Sequence, residues 1–262
     1  KDKNGSSVGT TTKTTLPDGS STEVKEAATE NGSFVKEEKF DKDGNSMGST
    51  TKVTEKTTTD EGTVIEKNTV TAADGAGDKV AETVTVKAES ENGKVKSEAF
   101  SKNDGKSEET TVKTTLDAAA DDGRIDVDPE DISEALKQMD DVLNAVGSEN
   151  GSKTLEIGSK TVSDSTEVKI PAESMKEISD AGADVKIAGD VGTITVGSEV
   201  SKNLAEKSSE GESPKEISIS IGKASISSMT VKQQEAVGDS KVFKLQATVG
   251  DESIHELGGD VT

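Results

Sequence analysis

Residues 79–101 read KVAETVTVKAESENGKVKSEAFS, and this stretch decides how the N-terminal part of the chain folds. Val80, Val84 and Val86 alternate with polar residues, as in a β-strand with one drier face. Asn92-Gly93 is a dipeptide that suits a turn with positive φ, most often a two-residue hairpin loop. Another polar, β-prone segment follows, so the stretch predicts two antiparallel strands joined by a tight turn.

The same turn signal recurs between residues 18 and 105, where Asp, Asn or Glu directly precedes Gly at seven places. The seven pairs are Asp18-Gly19, Asn31-Gly32, Asp43-Gly44, Glu61-Gly62, Asp74-Gly75, Asn92-Gly93 and Asp104-Gly105. Corresponding glycines lie about thirty residues apart, which indicates a repeat array. The segments between them are rich in Thr, Val, Lys and Glu and predict strands at residues 9–16, 21–28, 34–40, 48–58, 63–71, 79–89, 94–101 and 107–116.

The composition limits how these strands can pack. Only 29% of the residues are hydrophobic and 2% are aromatic, with four Phe and no Trp or Tyr. Two sheets cannot form a sandwich on so few apolar side chains, so residues 1–117 predict a single-layer or open sheet. Backbone ladders and cross-strand Thr–Thr and Lys–Glu pairs would stabilise it. The alternative is a disordered, low-complexity stalk.

Charge and residue usage exclude several classes of function. The net charge is −21 and Arg124 is the only arginine, which argues against nucleic-acid binding. Cysteine is absent, so disulfides, thiolate nucleophiles and sulfur-based zinc sites are excluded. No run of about 18 apolar residues occurs, so we expect no membrane insertion. We also expect both ends to lie inside a longer chain, whose flanking domains would be its first partners.

The pattern changes near residues 117–124. Val, Ile, Leu, Phe and Met number 17 among residues 9–116 and 36 among residues 119–262. This places a boundary between a hairpin region at 1–117 and a compact α+β domain at 118–262. Its clearest helix spans residues 128–147, with Asp128 at the N-cap and Pro129 at the first helical position. Shorter strands and helices follow, and they predict a mostly antiparallel sheet with helices on one face.

Several segments of the second part share their order and spacing with a known module. They are residues 168–172 (VKIPA), 183–187 (ADVKI), 192–196 (GTITV), 216–221 (EISISI) and 258–262 (GGDVT), with a lead-in at 123–127 (GRIDV). Residues 120–262 thus resemble a repeat module of large cell-surface proteins of Gram-positive bacteria, often found with S-layer homology domains. The resemblance implies an extracellular, cell-wall-associated place and no enzymatic role. Residues 1–117 separately resemble, in composition only, the single-layer sheet of spirochaete outer-surface lipoproteins.

The acidic cluster around residue 124 is the best metal candidate. Asp121, Asp122, Asp126 and Asp128 could supply the oxygen ligands that calcium requires. An EF-type loop centred on Gly123 fails, however, because Ala and Pro then occupy ligand positions. Helix capping and the helix macrodipole already account for Asp128 and its acidic neighbours. Calcium therefore stays a weak alternative to no cofactor, here and at residues 41–45 (DKDGN).

No catalytic motif is present. His255 is the only histidine, and it lies between Ile254 and Leu257 without a recognisable nucleophile. No Gly-x-Ser-x-Gly elbow and no phosphate-binding loop occurs. The sequence therefore predicts a non-catalytic structural or spacer segment of an adhesin-like bacterial surface protein. The alternative is a module that binds a host or cell-wall protein through its sheet face or an edge strand.

Overall fold

The computed structural model describes residues 9–148, 150–158, 163–190, 192–210, 213–237 and 242–262. The chain is mainly β with an α+β part, as the sequence predicts. It divides into two compact units. The first runs to Val112 and includes Met139–Ser152, and the second contains Lys113–Gln138 and Lys153–Thr262. The sequence predicts two domains that meet between residues 117 and 118, and this domain boundary stays a prediction.

The first unit is built on an antiparallel meander. Its strands are β1 (Thr10–Thr15), β2 (Ser21–Thr29), β3 (Gly32–Phe40), β4 (Ser46–Thr58), β5 (Val64–Ala73), β6 (Lys79–Glu89), β7 (Val95–Asn103) and the first half of β8 (Glu108–Asp117). The strands are neighbours in chain order, and β1 lies at the edge. All eight predicted strands occur where the Thr-rich segments place them. The ordered sheet, rather than the disordered stalk, is therefore the form of this unit.

Most of the turns are one residue longer than predicted. At Leu16–Ser20, Asp41–Asn45, Thr59–Thr63 and Asp74–Asp78 the first residue bonds the fifth, and the glycine at position four donates to the first carbonyl. This is the three-residue loop in which a left-handed Gly follows a type I turn. Gly19, Gly44, Gly62, Gly77, Gly93 and Gly105 all have positive φ. In the turn Asp74–Asp78 the left-handed glycine is Gly77. The prediction that Gly75 adopts a positive φ is therefore wrong.

Gly32 and Gly75 are needed for a different reason, because neither has a positive φ. A Cβ at Gly32 would lie 2.1 Å from the carbonyl oxygen of Thr54, and one at Gly75 would lie 2.5 Å from that of Ser46. Both glycines allow one backbone to approach its neighbour closely. The sequence pattern thus located the seven turns but assigned two of the glycines the wrong task.

Burial divides the first unit into a flat part and a covered part. In β1–β5, Ser21 is the only residue of those strands that is buried. In β6 and β7, by contrast, alternate residues such as Val86, Ala88, Val95 and Ala99 are buried on one face. The second half of helix α1 belongs to this unit and buries Met139, Val142, Leu143 and Val146. The covered part therefore has a small core, and the flat part has water on both faces.

The second unit contains two sheets and most of the helices. Its elements are the second half of β8, β9 (Arg124–Asp126), the start of α1 (Pro129–Val146), β10 (Ser152–Gly158), β11 (Ser165–Ile170), α2 (Ala172–Asp180), β12 (Ala183–Gly189), β13 (Gly192–Val196), α3 (Ser198–Ser208), β14 (Ile217–Lys223), α4 (Val231–Val237), β15 (Phe243–Val249) and β16 (Glu252–Ile254). A 3-10 turn lies at Ile226–Ser228. One sheet has the order β8-β10-β12-β13, and the other has the order β16-β15-β14-β11-β9.

Most pairings between the described strands of this unit are antiparallel, as the sequence predicts, but the strands belong to two sheets and two pairings are parallel. Strand β10 pairs with β12 in parallel, and β9 pairs with β11 in parallel. Parallel neighbours need a long connection between them. The chain from β9 to its partner β11 passes through α1, and the chain from β10 to its partner β12 passes through α2. The short strand β9 went unrecognised because three residues carry no usable alternation. Fully buried Ile157, Ile170, Met175, Ile187 and Leu204 form part of a conventional core.

Candidate interaction surface: the flat sheet and its open edge

The flat sheet made of β1–β5 is the most unusual surface of the described chain. One face carries an alternating charge row that continues into the covered strands, through Lys56, Glu66, Lys87 and Glu98 on β4–β7. The Nζ of Lys56 lies 2.9 Å from Glu66, and that of Lys87 lies 3.3 Å from Glu98. Hydrogen bonding from Lys56 is the main reason that the pKa of Glu66 lies below its ordinary value. These cross-strand pairs oppose a shift of register, because a slip would separate the opposite charges.

The opposite face of the same sheet contains a short apolar row. Ala27, Phe34, Val53, Thr69 and Val84 are direct cross-strand neighbours on β2–β6. Phe34 remains 37% exposed, whereas Val84, at the start of the covered part, is buried. The row gives the flat sheet some apolar contact without enclosing a core. It is a surface of modest relief, with a shallow, open depression between β1, β2 and β3 that Ala27 and Phe34 help to line.

Strand β1 presents an open backbone edge. All six of its residues are exposed, and its ladder with β2 runs without a bulge from Thr10↔Glu26 to Thr15↔Ser21. The amide of Leu16 donates to the carbonyl of Ser20, which makes the even-numbered positions the hydrogen-bonded ones. Because bonded and non-bonded positions alternate in an antiparallel ladder, Thr11, Lys13 and Thr15 direct their N–H and C=O groups away from β2. Within the described residues these groups face solvent.

The one charged side chain of β1 is turned away from this edge. The ammonium group of Lys13 lies 5.9 Å from the centre of the Phe40 ring on β3, two strands further in. A cation at this distance is attracted by the ring face. Lys13 therefore lies across the sheet, where it does not screen the open backbone groups.

The acidic candidates for a metal site serve the local fold. Asp122 and Gly123 both have positive φ, and Asp121 and Arg124 exchange backbone hydrogen bonds across them. This is a two-residue type I′ hairpin turn, the kind for which Asp-Gly is the preferred sequence. Among the described residues, no group of three or more His, Asp or Glu side chains could hold a metal ion.

The two remaining acidic candidates also have partners. Asp126 accepts a hydrogen bond of 2.9 Å from Nε of Arg124. Asp128 accepts one of 2.9 Å from the backbone amide of Glu130 and so caps α1, as the sequence predicts. At the other calcium candidate, Asp41 accepts bonds from the amides of Asp43 and Asn45 and closes its turn. The four aspartates near residue 124 are not brought together as ligands.

His255 lies on an exposed segment after β16, near Ser253, Lys244 and Leu257. In the described part of the chain its imidazole has no hydrogen-bonded nucleophile or carboxylate.

No described helix is long and apolar enough to cross a membrane.

An ion-pair triad in the second unit was not foreseen from the sequence. Glu156 on β10 lies 3.0 Å from Lys113 on β8 and 2.8 Å from Lys186 on β12. Burial opposes the charged form of Glu156, but the hydrogen bonds from both lysines outweigh it and lower its pKa. The triad could not be predicted from the sequence, because it depends on the strand order β8-β10-β12 and local sequence patterns do not determine that order.

No family model, curated protein or solved structure matches this chain.

Proposed function

We propose that this chain is a non-catalytic spacer segment of a bacterial cell-surface protein, placed outside the cell and next to the wall. The observation that carries the proposal is the flat part of the first unit, which keeps five paired strands with a single buried residue, Ser21. An enzyme needs a concave, preorganised site, and this surface is flat. A sheet that grows sideways by hairpins gains length without a larger core.

The length gained per strand is fixed by backbone geometry. Neighbouring strands lie about 4.8 Å apart, so the six steps from β1 to β7 span about 29 Å. The formal charge of −21 would keep such segments soluble and hold other modules apart. The predicted resemblance to S-layer-associated surface proteins supports the same placement.

The repeat offers a direct test of the spacer proposal. Strands β4 and β6 each begin with a bulge, at Met47 and Val80, after equivalent turns. Deleting residues 46–78 would join Asn45 to Lys79 and let β6 replace β4 beside β3 in the same register. Because the chain has no cysteine, Cys pairs at Thr10 and Lys102, on one face of the sheet, can carry spin labels.

We expect the deletion to fold and to shorten the distance between the two labels by about 10 Å, which is two strand spacings. Insertion of a second copy of residues 46–78 should lengthen it by a similar amount. An unchanged label distance, or a broad distribution in the parent chain, would contradict the proposal. The labelled parent chain is the matched control.

A second candidate function is binding of a host or cell-wall protein through the edge of β1. The outward N–H and C=O groups of Thr11, Lys13 and Thr15 favour it, since they offer three positions for strand addition. Its test is whether an immobilised chain retains one purified wall or host protein, and whether Thr11→Pro abolishes that retention. Equal retention by both chains would exclude the edge as the binding surface.

A further inference from the structure

We propose that β1 pairs antiparallel with β1 of a second copy of this chain, so that two flat sheets join edge to edge. The inference uses the same open edge as the second candidate function but assigns it a different partner, a second copy of this chain. The outward backbone groups of Thr11, Lys13 and Thr15 would exchange hydrogen bonds with odd-numbered positions at the same edge of the second copy. The result would be a two-fold symmetric dimer with a self-complementary interface.

Strand β1 is the best exposed edge of the described sheets. Strands β9 and β16, at the two edges of the five-stranded sheet, have only three residues each. The edge of β13 is already in use, because Thr195 exchanges backbone hydrogen bonds with Thr262. Six-residue β1, by contrast, has neither a bulge nor a proline, the devices that usually protect an edge.

The side chains of β1 suit pairing with themselves. Five of its six residues are Thr, which favours extended backbone and forms stabilising cross-strand pairs with Thr. The one charge, Lys13, is drawn over Phe40 and leaves the edge clear. A register that places Lys13 opposite Lys13 would still bring like charges together. We therefore expect the two-fold axis to lie at Thr12, which pairs Thr11 with Lys13, because an axis at Thr14 would set Thr11 opposite Pro17, which has no N–H group.

The outer strands are also close to neutral, although the whole chain is strongly acidic. Strands β1 and β2 carry Lys13 and Lys25 against Glu23 and Glu26, so their formal charges cancel. Repulsion between two copies must then come from charges further away. Salt screens such charges beyond about 8 Å at physiological ionic strength, so dimerisation should strengthen as salt is added.

Sedimentation velocity of the full chain tests the pairing. One strand buries much less than the roughly 1,200 Å² of a stable interface, so we expect a monomer–dimer shift only at high protein concentration. The shift should increase with salt. Thr11→Pro removes one outward N–H group but no bond to β2, so it should fold normally and stay monomeric. Thr11→Val keeps that N–H group and should dimerise like the parent chain.

A second measurement fixes the register. A single cysteine at Thr12 should form disulfide-linked dimers much faster than a single cysteine at Thr57, which is exposed on the interior strand β4. A chain that stays monomeric at every concentration and salt level overturns the inference, as does equal dimerisation of Thr11→Pro or equal crosslinking at Thr57. A monomer whose label distances still follow the number of strands would leave the spacer proposal intact.

Discussion

Gly32 on β3 lies against the backbone of Thr54 on β4, with room for a hydrogen atom but not for a side chain. A Cβ at Gly32 would stand 2.1 Å from the Thr54 carbonyl oxygen. The obstruction is backbone, so it cannot rotate away. In a sheet without a core over this region, the backbone ladder between β3 and β4 holds the strands together, and Gly32 leaves room for it at this point.

We therefore expect Gly32→Ala to lower the free energy of unfolding by about 2 kcal/mol, in the range of other overpacked sites. Gly44→Asn is the matched control. Gly44 has φ of 85° and no atom near its Cβ position, and Asn tolerates a left-handed backbone. Its cost should be about 1 kcal/mol or less. Urea unfolding of both variants checks the prediction, and equal costs would contradict it.

The triad of Glu156 with Lys113 and Lys186 should make stability depend on pH. The pKa of Glu156 in the folded chain lies below its ordinary value of 4.5. Its contribution is therefore present above pH 4.5 and is lost as the pH falls through the folded pKa. We expect Glu156→Gln to lower the free energy of unfolding at pH 7 by about 1 kcal/mol, since two charge-assisted hydrogen bonds are weakened.

At pH 3 the difference between Glu156→Gln and the parent chain should shrink. Glu98→Gln provides the control, because Glu98 makes one ion pair and its side chain is 57% exposed. Such surface pairs contribute at most about 1 kcal/mol, and often nothing measurable. If the two variants lose the same stability at both pH values, the triad has no special role.

Asp41 should stabilise its turn through its carboxylate. Its two oxygens accept hydrogen bonds from the amides of Asp43 and Asn45 and from the side-chain amide of Asn45. The Asn45 side chain is the main reason that the pKa of Asp41 lies below its ordinary value. The contribution is present above that ordinary value and is lost as the pH falls through the folded pKa.

We therefore expect Asp41→Ala to lower the thermal midpoint and to speed amide exchange at Asn45. Asp43→Ala should leave both unchanged, because among the described residues the Asp43 carboxylate pairs with Lys42 and accepts no hydrogen bond from the turn backbone. Nuclear magnetic resonance can follow the carboxyl titration and the amide together. Exchange at Asn45 that does not respond to the Asp41 substitution would show that the backbone alone sets this turn.

The sequence predicts the strands of the first unit well because its signals there are local. Thr-rich segments favour extended backbone, and turn glycines mark where each strand must reverse. What it misses depends on neighbours distant in sequence. The sequence predicts a turn conformation with positive φ for Gly32 and Gly75. Both are instead needed because the backbone of β4 lies too close for a side chain. Asp122-Gly123, by contrast, forms a tight hairpin turn for which Asp-Gly is itself a local signal, so this turn competes with the calcium-loop interpretation within the sequence.

Strands β1–β5 form a folded sheet with water on both faces. Hydrogen–deuterium exchange at β4 (Ser46–Thr58) is the measurement that tests this fold. This strand lies between β3 and β5, and its backbone groups bond to both. We predict that amides along its length, such as that of Thr51, exchange orders of magnitude more slowly than those of an unfolded peptide. Exchange at the rate of an unfolded peptide along β4 would show that β1–β5 do not form a folded sheet.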